Sequence, residues 1–139
     1  MPTEAEWEYA ANVGTGSLFC FGDDVVHLSD YAWYRDTQVS RSSGAQPVGS
    51  KKANKWGVHD MHGNVWEWCL DKVREDYEGS SNIDPGGFID GVSRMRRGGS
   101  WYYTGGEVSS KYRYHYGADR RVNDCGFRVC ISSAKLKFK

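Results

Sequence analysis

The 139-residue chain is about the length of one domain and can bury roughly two thirds of its unfolded surface in a single core. Its 18 Lys and Arg balance 18 Asp and Glu, and a formal net charge of zero argues against a nucleic-acid binder that works by phosphate neutralisation. Within these residues there is neither an apolar run of about eighteen nor a basic-then-apolar leader, so no membrane span or signal peptide is read and the compartment stays open.

Hydrophobic content is only 39%, but aromatics reach 14%, so large rings have to fill the core. In chain order, Thr3-Glu4-Ala5-Glu6 is a capping box, and Trp7, Ala10 and Ala11 recur at helical spacing, which predicts a short helix from Glu4 to Ala11. Gly14 and Gly16 end it, and loop follows to Ser50. The stretch WGVHDMHGNVWEW, Trp56 to Trp68, holds three of the six tryptophans and reads as an irregular core segment clamped by polar groups. Trp56, Trp66, Trp68 and Trp101 are expected to be buried. Asp60, Asn64 and Glu67 sit among these rings, so they need hydrogen bonds, a cation or a metal.

From Asp71 to Arg94 the chain is polar, with Asp84-Pro85-Gly86-Gly87 as the clearest turn, and it returns at Met95. RRGGSW (Arg96 to Trp101) and GFRVCI (Gly126 to Ile131) read as the ends of a closing β-ribbon, with Phe127, Val129 and Ile131 on its buried face. Between them lie Tyr102, Tyr103, Tyr112, Tyr114, His115 and Tyr116, interleaved with glycine, serine and charge. Residues 134–139 read as a disordered basic tail. The four cysteines, Cys20, Cys69, Cys125 and Cys130, form no C-x-x-C pair and are expected to be buried thiols. If Cys125 to Cys130 is a strand, those two sulfurs lie on opposite faces. His59 and His62 lack a third ligand in sequence, so satisfied histidines are the expected reading.

PTEAEWEYA (Pro2 to Ala10), LSDYAWY (Leu28 to Tyr34), PVG (Pro47 to Gly49), WGVHDMHGNVWEW, RRGGSW and GFRV together resemble the formylglycine-generating enzyme, or sulfatase-modifying factor, family, in the family's order and over nearly the whole chain. The resemblance implies an α+β, C-type-lectin-like fold with a small twisted antiparallel sheet, short helices and much irregular loop. One compact domain is expected over residues 1–139, a short version of an enzyme about twice as long. The resemblance also implies a structural calcium held by the side chains of Asp60 and Glu67 and the carbonyls of Gly63 and Val65, hard oxygen donors that suit Ca²⁺. A second calcium site would draw on Asp30, but Ser40 and Ser42 stand where its other half would lie.

The family's enzymes bind copper through two cysteines, three and eight residues past the serine of GGS. Here those positions are Tyr103 and Val108, neither of which is a thiolate ligand, so no copper and no catalysis are expected. The Tyr, Ser, Gly and Asn content of the interval is that of an antibody combining site. It resembles the variable proteins of diversity-generating retroelements, which carry their diversified residues between these two motifs. The implied function is therefore non-catalytic binding of an unknown protein or other macromolecule. The expected surface comprises Tyr102, Tyr103, Tyr112, Tyr114, His115, Tyr116, Arg120, Val122, Asn123 and Asp124. A degenerate or truncated oxidoreductase of the family, or an accessory domain, is the alternative.

Overall fold

The computed structural model describes residues 1–38, 44–73 and 93–131. The expected turn at Asp84 to Gly87, the residues Ser40 and Ser42, and the tail at 134–139 lie outside them.

Helix α1 spans Glu4–Ala11 behind the capping box: Thr3 Oγ1 accepts the Glu6 N–H at 3.2 Å, and the Glu6 carboxylate accepts the Thr3 N–H at 2.8 Å. Eight residues are too few to be stable alone, so tertiary contacts must hold the helix. Trp7 and Ala11 enter a core with Met61, Cys69 and Met95. On its polar side, Arg97 donates to Glu4 at 2.5 Å, to Glu8 at 2.6 Å and to the Ser110 carbonyl. Arg97 is fully buried, and the two carboxylates compensate its charge, although its Nε meets no partner. A second core of Phe19, Leu28, Ala32 and Val108 gathers around the one-turn helix α2, Leu28–Tyr31.

The sheet has four strands, β1 (Trp66–Lys72), β2 (Ser93–Arg97), β3 (Tyr114–Gly117) and β4 (Cys125–Phe127), in the order β3-β2-β1-β4. β1 with β2 and β2 with β3 are antiparallel, while β1 with β4 is parallel. The sheet is therefore mixed, not antiparallel as expected. Residues 118–124 carry the chain from the β3 edge to the β4 edge, so β4 enters alongside β1 in the same direction. The expected ribbon is corrected too, because β1 lies between its two halves. Along β1 and β2 the side chains alternate: Glu67, Cys69, Met95 and Arg97 meet α1, while Trp66 and Arg96 turn to the opposite face. That opposite face carries the site.

Several burial expectations fail. Trp66 and Trp101 are buried, but Trp68 is half-buried and Trp56 is 49% exposed. Asn54 turns the chain by accepting the N–H groups of Trp56 and Val58, which leaves the Trp56 ring lying on Tyr9 at 5.1 Å. Phe127 is 68% exposed, and Val129 and Ile131 are more exposed still. The expected alternation stops where β4 ends at Phe127: only Arg128 turns inward, to Glu67, and Val129, Cys130 and Ile131 are all exposed. Cys20 and Cys69 are buried, Cys125 is half-buried and Cys130 is exposed.

Two glycines are required by close approach. A Cβ on Gly63, at φ 77°, would fall 2.2 Å from the Trp33 carbonyl oxygen, and one on Gly99, at φ 69°, 2.6 Å from that of Glu107. Both contacts hold the central motifs against neighbouring loops.

Candidate functional site

The face opposite α1 is roofed by the loop that follows β2. Arg96 on β2 stands opposite Tyr114 on β3, with Tyr116 two residues along on the same face, and its guanidinium carbon lies 4.8 Å from the Trp66 ring, 4.9 Å from Tyr114 and 4.8 Å from Tyr116. These are cation–π distances. Ser100 starts the return of the chain: its hydroxyl donates to Asp124 at 3.2 Å, and Asp124 approaches Arg96 at 4.0 Å. Trp101 and Tyr102 follow with rings 5.7 Å apart, and Tyr103 meets Trp66 edge-on at 5.2 Å.

These elements enclose an open cleft of about 680 Å³. Seven of the ten residues expected in a binding surface line it: Tyr102, Tyr103, Tyr114, Tyr116, Val122, Asn123 and Asp124. Three do not. Tyr112 packs on Trp66 at 6.0 Å, His115 falls on the other side of the β3 alternation, and Arg120 is exposed beside Gly117. Conversely, Arg96, Trp101 and Arg121 line the cleft outside the expected binding set, Trp101 being expected only as a buried ring. The first two belong to RRGGSW, where a strand reading hides them; only the alternation of Arg96 with buried Met95 could have signalled it. Burial raises the pKa of the half-buried Tyr103 phenol, and burial pushes the Cys125 thiol up to about 11 against the opposing charge of Arg96.

The residues expected to hold calcium also share one cavity, with Gly49, His59 and Arg128 among its other walls. Of the four, Glu67 is the one already engaged by a cation. Glu67 accepts Arg128 N–H groups on both oxygens at 2.7 Å, and the Trp7 indole N–H at 2.6 Å. The buried carboxylate thus already has a compensating cation, and its Oε2 already accepts two hydrogen bonds. Asp60 accepts the Gly49 N–H at 2.7 Å, and Asp30 is paired with Lys52 at 3.0 Å.

The histidines are satisfied. His62 is buried between the Val108 carbonyl at 3.0 Å and the Cys20 N–H at 3.1 Å, and burial lowers its pKa to about 4. His59 meets the Lys51 carbonyl at 2.9 Å. Among the described residues, no group of three or more His, Cys, Asp or Glu could hold a metal ion.

A family model described as a sulfatase-modifying factor enzyme 1-like domain matches residues 1–133. The chain belongs to this family. It is 33% identical to the formylglycine-generating enzyme of Streptomyces coelicolor over 150 aligned positions, which cover 98% of this chain and 47% of that one. Its fold matches Treponema denticola variable protein 1 with a TM-score of 0.79 and 36% identity over 91% of this chain and 45% of that one. It also matches PvdO from Pseudomonas aeruginosa, with a TM-score of 0.75 and 30% identity over 91% and 50%. The chain spans about half the length of these relatives. Where the resemblance places the family's cysteine pair, Val108 lies fully buried on Phe19, Leu28 and Ala32, and Tyr103 packs against the same cluster. No helix among the described residues is long and apolar enough to cross a membrane.

Proposed function

We propose that this protein is a non-catalytic binder of a protein or other macromolecule, acting as a variable protein of a diversity-generating retroelement, with the cleft between β3 and the Trp101 to Tyr103 loop as its combining surface. The observation that carries the reading is the convergence of residues from both ends of one interval, Tyr102 and Tyr103 with Val122, Asn123 and Asp124, on a single concave surface. Tyrosine supplies broad amphipathic contact at low entropic cost, and asparagine supplies adaptable hydrogen bonds. The match to Treponema denticola variable protein 1 supports it, as do the tyrosine and valine at the family's cysteine positions.

Tyr102→Ser, Val122→Ser and Asn123→Ser together test the proposal, since all three side chains are exposed. The triple variant keeps its melting temperature within a few degrees, and a binder recovered by display selection on the wild-type protein loses at least about tenfold in affinity, or 1.4 kcal/mol. Unchanged affinity of every such binder contradicts the proposal. The likeness to formylglycine-generating enzymes keeps a degenerate oxidoreductase as the second reading, and copper binding with cysteine oxidation on a sulfatase-type peptide would favour it.

A further inference from the structure

The floor of the cleft carries donors that the protein itself leaves without acceptors. Arg96 is 4% exposed, yet its Nε and one of its terminal nitrogens meet no hydrogen-bond partner. The Trp101 indole N–H, on a side chain of a residue 8% exposed, is also without one. Both residues line the same cleft. Buried donors are ordinarily paired; among the described residues Gln38, Trp66 and Arg97 also carry buried polar atoms without a partner, and of the five residues Arg96 and Trp101 are the two that line this cleft.

The local geometry explains why Arg96 stays unpaired. Guanidinium donors point outward in the plane of the group, and aromatic rings hold this cation without accepting those bonds. Asp124 is the nearest carboxylate. It stands 4.0 Å away, beyond hydrogen-bond reach, and its other oxygen accepts from Ser100. The Cys125 thiol interacts with Arg96 through a side-chain hydrogen bond, but sulfur is a weak acceptor, and Nε and one terminal nitrogen of Arg96 remain without a partner. The rings therefore place the cation and leave its edge for something else.

We propose that this floor receives a carboxylate, the side chain of an aspartate or glutamate on a protein ligand, seated on Arg96 and on the Trp101 indole N–H. The inference rests on the binding function proposed above and supplies its ligand chemistry. A planar two-oxygen acceptor matches the guanidinium fork. With Arg96 and Arg121 against Asp124, the cleft has one cation in excess, which suits a single negative charge. No lysine lines the cleft, and the chain has no net positive charge to favour a polyphosphate. The surrounding Tyr102, Tyr114 and Val122 fit the apolar neighbours that a polypeptide brings with its acid.

The test is NMR of the arginine Nε–H and tryptophan indole N–H groups of the full chain during titration with acetyl-Glu-amide, with acetyl-Gln-amide and inorganic phosphate as parallel probes. The expected result is a saturating shift of the Arg96 and Trp101 signals with the glutamate probe and none with the glutamine probe. Trp101→Phe keeps the ring and removes the donor, so it weakens the glutamate probe at least threefold; Arg96→Met abolishes the shift. If Arg96→Met fails to fold, the glutamine probe and Trp101→Phe still decide. Equal shifts from the two amides, a shift that stays linear at tens of millimolar, or tighter binding of phosphate would overturn the assignment.

The single-residue probe reads the floor alone. A saturating glutamate shift alongside unchanged macromolecular affinity in the triple serine variant upholds the carboxylate seat and removes the combining-surface reading. Loss of macromolecular binding in that variant without any saturating glutamate shift does the reverse.

Discussion

Arg128, on the segment after β4, lays its guanidinium fork across both oxygens of Glu67 on β1, each contact 2.7 Å long. The pair ties the end of the chain to its central motif, and Trp7 of α1 joins them through its indole N–H. Three separated sequence motifs thus meet at one buried carboxylate.

The pair is mostly withdrawn from water, with side-chain exposures of 26% for Arg128 and 8% for Glu67, so removing one partner strands the other. Glu67→Gln or Arg128→Met should each cost about 3 kcal/mol in denaturant unfolding, and the double variant should cost less than the sum. Additive losses would show that the two do not act as a unit.

The same pair bears on calcium. With Arg128 as the compensating cation, excess EDTA should leave the melting temperature unchanged. A calcium ion present at about 100-fold over its Kd would instead show as a loss approaching ~2.7 kcal/mol on chelation, together with metal by elemental analysis.

Core identity can be tested ring by ring. Trp66 has no exposed surface and touches Tyr103, Tyr112, Tyr114 and Arg96, so Trp66→Ala should cost about 3–5 kcal/mol. Trp56→Ala and Phe127→Ala should each cost under about 1 kcal/mol, because the two residues are already 49% and 68% exposed. Equal denaturant midpoints for Trp66→Ala and the wild type would contradict the packing described.

How far the sequence reached is clear from particular residues. The α1 capping box was legible because all its determinants lie within four residues. Seven of the cleft-lining residues were legible because they come from one interval whose composition differs from that of a core. The exposure of Phe127 and Val129 was not legible, because an alternating pattern shows neither where the strand ends nor which side is covered; β4 ends at Phe127, and the partner of Arg128 lies 61 positions away. Strand β1 is not legible because the alternation of Trp66, Glu67 and Trp68 breaks at Cys69 and Leu70, as both faces of a central strand are used. Arg96 was missed because its significance lies in ring contacts from two other strands.

His62 gives the fold a defined acid sensitivity. Its folded pKa of about 4 lies below the ordinary value of 6.5, so the unfolded chain takes up a proton first. This contribution to stability is complete above pH 6.5 and is lost as the pH falls toward 4, for a total of about 3 kcal/mol. His62→Gln retains a donor and an acceptor but does not titrate, so the slope of stability against pH over that window should flatten. A slope equal to that of the wild type would assign the titration to other groups.

The central claim is that the Tyr102 to Asp124 surface is diversified by a retroelement, and the DNA sequence of the gene and its flanks tests it most directly. In diversity-generating retroelements adenines in AAY asparagine codons are changed and the pyrimidine third base is left, so Tyr, His, Asp, Asn, Val and Arg are all reachable. Glu107 and Lys111 need a purine there and stay outside the set. The account predicts a near-identical template repeat and a reverse transcriptase beside the gene, with template adenines opposite the changed bases at Tyr102, Tyr112, Tyr114 and Asp124. Codons at those four positions that match no adenine-rich template would contradict it.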